Sequence, residues 1–378
     1  TKCRGCGLCA EACRLSGRVP SDFNAGIGKR AAIYVPFPQA VPLVYTVDPE
    51  ACVYLTRGVC GKTFKCKEAC TADAIDFEQK EEIVEVDGRK IALSNLDKPM
   101  WKKEGITKAD LIQYYVTVAP RMVPLIRNRP LMLYRFPHGV SDKAFVQKDW
   151  PHHPPWLRTV SIKSDKPGKV VRYAVCNDQS TLVWLANMAC VEINQFLSSS
   201  PKYERHDLVL VDLDPYPPAE FEDALEIAES FHAALDQMRL RHMIKTSGAE
   251  GIHFLIPIVP KYTIEVIRRF VLLLGVLLEE LVPKRVSTSR TRGNRVGKVY
   301  VDWFQNGAGK TIAAPFSLRP SPGAPVSFPL RPADLKKRIQ PSDFNITTVP
   351  RLMSKAPEFD ASPNQSLDAA FRELGALP

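Results

Sequence analysis

The stretch Asp207-Leu-Val-Leu-Val-Asp-Leu-Asp214 decides how this chain is read. Its run of Leu and Val describes a buried strand, and two carboxylates close it. Side chains alternate between the faces of a strand, so Asp212 and Asp214 share one face. Two like charges so placed repel unless a cation lies between them, and a divalent metal is the usual cation. The alternative is a solvated strand end running into the loop at Pro215 and Pro217. The stretch alone does not choose between the two.

Its surroundings favour the metal. Val299-Tyr-Val-Asp-Trp303 is a second apolar strand and supplies a third carboxylate, Asp302. Ser247-Gly248 and His253 flank a tight turn between two further strands, and Lys310 and Arg319 bracket the strand expected over 311–317, where cations could meet phosphates. Gly307-Ala-Gly-Lys-Thr311 is not a phosphate loop: residue 304 is Phe rather than Gly, and the segment runs from strand to strand. Three aspartates with a cationic rim suit two-metal phosphoryl transfer. A nucleotide-sugar transferase using Asp212-x-Asp214 would give Asp302 no task.

The rest of residues 86–378 alternates helices and strands. Thr107 caps a helix from Lys108 to about Ile126, with Leu111, Tyr114, Tyr115, Val118 and Met122 on one stripe. A strand is expected over 131–136, and helices over 178–197, 220–240 and 263–281. Strands are also expected over 242–246, 252–259 and 298–304. Beyond Arg319 the chain is Pro-rich, with a short helix near Leu367. This order points to mixed strands flanked by helices rather than a doubly wound parallel sheet. His152 and His153, set between prolines, read as solvated loop residues. Cys176 and Cys190 read as inert core thiols in an apolar helical segment.

Residues 1–85 have a different character. They carry 11 basic and 11 acidic side chains, so the net charge of +10 lies entirely in residues 86–378. That excess suggests a polyanionic partner, most commonly nucleic acid. Eight of the ten cysteines fall in the first 70 residues. Cys3, Cys6, Cys9 and Cys13 have the spacing of a bacterial [4Fe–4S] ligand run. Cys52, Cys60, Cys66 and Cys70 form a second, less regular group. A zinc site or a disulfide framework would also use cysteines, but nothing else here indicates an oxidising compartment. The longest apolar run, Phe270 to Leu278, is too short to span a bilayer. A cytoplasmic, prokaryotic protein is expected. Between the halves, Glu81 to Leu93 reads as a hairpin about an Asp87-Gly88 turn, with no flexible linker.

Two resemblances follow from these residues. Gly28 to Pro42, Cys52 to Thr56 and Ala74 to Glu82 resemble the ferredoxin-like insert in the iron-sulfur subunit of heterodisulfide reductase, over residues 1–85. This implies one or two [4Fe–4S] clusters and, as an alternative activity, electron transfer. Residues 86–350 resemble the polymerase domain of bacterial DNA ligase D, in the archaeo-eukaryotic primase superfamily. The matching stretches are Leu93-Ser-Asn-Leu-Asp-Lys98, Arg129-Pro130 with Arg135, Thr181 to Asn187, Val211 to Pro215, Lys245 to Gly248 with Gly251-Ile-His253, Val301 to Asn306 and Ala314 to Arg319. They recur in family order.

The second resemblance implies an α+β fold of primase/polymerase type, with mixed and antiparallel sheets flanked by helices, beside the small ferredoxin-like module. It implies template-directed addition of nucleotides, ribonucleotides by preference, to DNA ends or gaps in non-homologous end joining. Asp212, Asp214 and Asp302 would hold two manganese or magnesium ions. Ser247, His253, Lys310, Arg319 and Asn194 would hold the nucleoside triphosphate. Lys98, Lys108, Arg135 and Phe145 would hold DNA with a 5′-phosphorylated break or gap, with Ku and a DNA ligase as further partners. Three positions depart from the pattern: Val146 where a second stacking aromatic is usual, Asn194 where His is usual, and Glu250 where Lys is usual.

Overall fold

Central to the structure, a computed structural model, is the strand Leu208–Pro215, whose residues are buried throughout except Asp214. The described residues are 8–13, 19–20, 29–30, 33–34, 46–47, 65–69 and 82–378, apart from 152, 164–169 and 202–203. The chain forms two compact units, Thr1–Lys80 and Glu81–Pro378.

Within the first unit the short helices Leu8–Ala12 and Lys65–Glu68 pack on one another, and Cys9 and Cys66, which they carry, are buried. Cys13 is half-buried. Cys3, Cys6, Cys52, Cys60 and Cys70 lie outside the described residues, as does His152.

The second unit holds two larger sheets. One runs in the order Val286–Ser287, Val299–Val301, Leu208–Pro215, Ile252–Pro257, Met243–Thr246, Pro329–Leu330. Its pairings are antiparallel except that between Val286–Ser287 and Val299–Val301, so the sheet is mixed. The register sets Asp212 opposite His253, Lys245 opposite His253 on the far side, and Asp214 opposite Tyr300. Where the Val299–Val301 strand stops, a side chain takes over the edge. The Asn306 amide accepts from Leu210 N at 2.8 Å and donates to Leu210 O at 2.7 Å. Helices Phe221–Gln237 and Ile264–Leu281 pack on this sheet and touch each other.

The other sheet is wholly antiparallel, in the order Phe145–Gln147, Leu131–Arg135, Cys190–Phe196, Thr311–Ala313. A buried ion pair ties the approaches to the two sheets: Arg129 Nη1 lies 2.6 Å from Asp207 Oδ1, just before Leu131 and Leu208. Helix Lys108–Ile126 begins on a Thr107–Asp110 capping box and anchors through two buried hydroxyls. Tyr114 donates to Phe316 O at 2.8 Å and Tyr115 to Val191 O at 2.6 Å.

The hairpin forms as expected: Glu82–Val86 pairs with Arg89–Leu93, and Asp87 and Gly88 both take positive φ, as the tight turn requires. It belongs to the second unit. Arg89 lies 2.8 Å from Asp178, and Asp87 accepts from Ser180 N at 2.9 Å.

Three expectations fail: the strands expected over 298–304 and 311–317 shorten to Val299–Val301 and Thr311–Ala313, and one helix is divided. Residues 178–197 are not one helix but helix Gln179–Asn187 followed by strand Cys190–Phe196. Ala189, at φ 57°, turns the chain between them. The strand is buried at every position, so its apolar run carries no period that separates it from a helix. Cys190 therefore lies on a strand and Cys176 ahead of the helix, and both thiols are buried; burial pushes the Cys190 thiol up to about 12. The Pro-rich tail also contributes an unforeseen sheet strand, Pro329–Leu330.

Asp178 caps helix Gln179–Asn187, accepting from Thr181 N at 2.8 Å while paired with Arg89. Asp178→Ala is expected to cost about 1–2 kcal/mol. Urea unfolding should show a lower midpoint with an unchanged slope; an unchanged midpoint would contradict the capping assignment.

Candidate metal and nucleotide site

The three aspartates meet. One carboxylate oxygen from each of Asp212, Asp214 and Asp302 lies within 4.8 Å of the others. Strand geometry brings this about: Asp212 and Asp214 share a face, and Asp302 leaves the neighbouring strand with its amide donating to Asp212 O at 2.8 Å. Asp302 Oδ1 accepts from Phe304 N at 3.1 Å and from the Tyr300 hydroxyl at 3.3 Å. Gly251 permits the close approach, since a Cβ there would sit 2.7 Å from Leu213 O and 3.0 Å from Asp214 Oδ1.

The cluster is under electrostatic strain. Burial, with Asp302 beside it, raises the Asp212 carboxyl to about 7, although Lys245 and Arg319 pull it down. Asp214 is solvent-exposed at one edge, yet desolvation by the surrounding protein and the charges of Asp212 and Asp302 raise it to about 8. Glu250 pushes Asp214 the same way and Arg295 opposes it. Asp212 Oδ1 is buried and, among the described residues, has no hydrogen-bond partner. His253 Nε2 lies 3.1 Å from it, outside hydrogen-bond alignment. Three hard oxygen donors, a buried oxygen left over and excess negative charge fit a magnesium- or manganese-type cation.

The other expected nucleotide contacts divide into groups. His253 is buried, and its Nδ1 lies 2.7 Å from Lys245 Nζ, which donates to Ser327 Oγ at 2.6 Å. Burial, then the charges of Lys245 and Arg319, hold His253 well below the usual imidazole range, so the ring is neutral. Ser247 Oγ accepts from Ala249 N and Gly251 N, each at 3.0 Å, and shapes the turn. Arg319 crosses that turn at Gly248: a Cβ there would stand 2.6 Å from Arg319 Cγ, and φ is +77°. Asn194 and Glu192 share a face of the antiparallel sheet. Asn194 Nδ2 donates to Glu192 Oε1 at 2.8 Å, and Glu192 Oε2 lies 3.5 Å from Arg319 Nε. Lys310 is exposed, in the turn between Gly307 and Thr311, with its Cγ beside Gly307.

A second cluster forms elsewhere in the unit. Lys108 N donates to Lys98 O at 2.8 Å, and burial, then Lys98 and Arg135, lower the Lys108 ammonium to about 8. Arg135 pairs across strands with Phe145, which is 47% exposed; Val146 beside it is 42% exposed.

Sequence reasoning missed Lys245 and Glu192 as site residues. Lys245 opens one of the stretches that carry the polymerase resemblance, and Glu192 stands two residues before Asn194. The signal for Lys245 was a lysine in the middle of a buried strand, which has to have a polar task.

A model of the LigD primase-polymerase domain matches residues 107–359. The chain belongs to the LigD primase-polymerase family. Its second unit is accordingly a nucleotidyltransferase domain with the family's α+β fold. The bifunctional non-homologous end joining protein LigD of Bacillus subtilis (strain 168) is 32% identical over 291 residues, covering 75% of this chain and 47% of that protein. This chain thus spans less than half of that LigD. A solved structure, the polymerase domain from Mycobacterium tuberculosis ligase D in complex with DNA, superposes with a TM-score of 0.65 at 26% identity, covering 76% of this chain and 99% of that one. The N-terminal part is similar to the iron-sulfur subunit of CoB–CoM heterodisulfide reductase from Methanocaldococcus jannaschii: 46% identity over 84 residues, 22% of this chain and 11% of that protein. No helix among the described residues is long and apolar enough to cross a membrane.

The raised carboxyls make a prediction with a definite sign. A folded-state pKa above the unfolded value means the folded chain holds the extra proton, so this contribution to stability falls as pH rises from about 4 to about 8. In chelator-treated protein, Asp214→Asn is expected to raise Tm relative to wild type by a margin that widens across that window. Equal margins at pH 4 and pH 8, by thermal melts, would show that the carboxylates are not in conflict.

Proposed function

We propose that the chain is a metal-dependent, template-directed polymerase that adds nucleotides, ribonucleotides by preference, to DNA ends and gaps in non-homologous end joining. The observation that carries this reading is the meeting of Asp212 and Asp214, on one strand, with Asp302, just past the end of its neighbour, where Asp212 Oδ1 is buried and, among the described residues, takes part in no aligned hydrogen bond. Family membership supports it, as does the net charge of +10. Bound manganese or magnesium would supply Lewis acidity toward a sugar hydroxyl and a triphosphate.

The chain's own side chains do the positioning. Asp212, Asp214 and Asp302 present the oxygen ligands. Arg319 and the exposed Lys310 offset triphosphate charge. Ser247 keeps its hydroxyl proton to donate, because its oxygen already accepts two loop amides. Neutral His253 fixes the geometry beside Asp212 without adding charge. Asn194, with its amide nitrogen engaged by Glu192, offers its carbonyl oxygen as an acceptor. Lys98, Lys108, Arg135 and Phe145 take the broken DNA end, the first three by charge and the last by stacking. Ku and a DNA ligase are the partners this reaction calls for.

The test is extension of a 5′-phosphorylated gapped duplex with Mn²⁺ and ribonucleotides. Asp212→Asn and Asp302→Asn are each expected to lower the rate by about 10³-fold or more, since metal stabilisation of this kind is worth several kcal/mol. Extension by wild type no faster than by these variants would refute the assignment.

A second activity belongs to the first unit. The C-x2-C-x2-C-x3-C run of Cys3, Cys6, Cys9 and Cys13 and the similarity over 84 residues favour at least one [4Fe–4S] cluster, with Cys52, Cys60, Cys66 and Cys70 for another, the last cysteine of a run typically serving the other cluster. Buried Cys9 and Cys66 on packed helices suit thiolate ligation. Anaerobically purified protein should contain about four iron and four sulfide per cluster and absorb broadly in the visible; colourless, zinc-loaded protein would exclude the clusters.

A further inference from the structure

Lys98, Lys108 and Arg135 form a patch of three cations in which, among the described residues, no carboxylate takes part. Lys98 Nζ donates to Pro137 O at 3.0 Å, and Lys108 Nζ to Ser94 O at 2.6 Å. Arg135 Nε donates to Met188 O at 2.8 Å, and its Nη1 to Gln147 Oε1 at 3.0 Å. Every compensating group is a neutral carbonyl. Arg89, Arg129 and Arg285 pair with acids, whereas Arg121 and Arg295, like Arg135, are met by carbonyls; what sets this patch apart is that three cations gather in it. The patch is one site because Lys98 and Lys108 are joined through their backbones, and the Lys98 ammonium reaches the turn that leaves the Arg135 strand.

Arg135 also belongs to a second arrangement. Its guanidinium carbon lies 5.9 Å from the centre of the Phe145 ring and 5.7 Å from that of Trp150. Phe145 is 47% exposed, whereas Trp150 is 3% exposed and packs on Trp184 at 5.0 Å. Gln147 is itself held, since its amide also donates to Asp149 O. The exposed ring thus lies over a guanidinium fixed at two nitrogens and backed by a buried ring.

We propose that Arg135 couples two contacts with a broken DNA end, the 5′-phosphate in the cation patch and an unpaired base on Phe145, with Gln147 and Trp150 as positioning residues. The proposal rests on the polymerase reading and deepens its DNA contact. A phosphate entering the patch bonds to the Nη2 hydrogens, the ones that Met188 and Gln147 do not engage, and so adds a third hold to a group already held at two nitrogens, which a lysine could not do. The cation–π contact passes that order to the Phe145 ring. A ring already ordered gives up less entropy when a base stacks on it, so each contact strengthens the other.

The test uses the full chain and four gapped duplexes: downstream 5′-phosphate or 5′-hydroxyl, each with a base or an abasic residue at the unpaired template position. Affinities give a coupling factor, the tightening by phosphate with the base present divided by that without it. Wild type is expected to show about 5–10-fold, within the usual range for coupled sites. Arg135→Lys and Gln147→Leu are expected to bring the factor to about one, while phosphate still tightens binding through Lys98 and Lys108. Trp150→Phe keeps the ring and should keep the coupling. A wild-type factor in Arg135→Lys or Gln147→Leu overturns the proposal. So does a wild-type factor of one when phosphate and base each strengthen binding alone. If neither phosphate nor base affects wild-type affinity, the reading of this face as a DNA-end site fails, and the proposal falls with it.

Discussion

Three carboxylates that repel each other organise the second unit. Their oxygens sit within 4.8 Å, inside protein, where burial already disfavours charge. No folded chain reaches that state by local preference. It is held because the strands bearing the aspartates are buried and fixed in register, and because Arg319 and Lys245 supply partly compensating charge. The price of this arrangement is met by a large apolar core around Val209, Val211 and Leu213 on one side and Leu210 and Leu255 on the other.

The compensating cations are themselves constrained. Lys245 is fully buried between His253 and Ser327, and burial, then Arg319, holds its ammonium well below the usual lysine range. Arg319 spans the space between the two sheets, near Glu192 on one and Gly248 on the other. The backbone leading to it is set by Tyr115, whose hydroxyl accepts from Leu318 N at 3.3 Å, and by Ser317, whose hydroxyl accepts from Ile193 N at 2.8 Å. The helix Lys108–Ile126 therefore reaches the backbone leading to Arg319 through a tyrosine and the cation patch through Lys108 at its start. One rigid element serves both ends of the proposed reaction.

Much of this was legible in the sequence because the decisive elements carry strong local signals. Alternation placed Asp212 and Asp214 on one face, Thr107 marked a helix start, and Asp87-Gly88 marked a turn. The Cys190–Phe196 strand was not legible, because full burial removes the polar positions that reveal a period of two. Its misreading as helix hid the pairing of Glu192 with Asn194, which depends on residues two apart sharing a face. The Lys245–His253 contact was hidden for another reason. It is a cross-strand relation, fixed by register between segments and not by spacing within one.

Asn306 carries one more consequence. Its amide substitutes for a strand at Leu210, satisfying both backbone groups that the short Val299–Val301 strand leaves uncovered. The edge of the central strand is thus closed by a single side chain at a fixed point, and the chain between Asp302 and Asn306 is stapled at both ends. Changes in length within that staple would slide Asp302 along the strand. Changes beyond it, in the turn leading to Lys310, would leave the acidic cluster where it is. The fold separates a segment held at two points from the turn outside that hold, and the boundary between them is one amide.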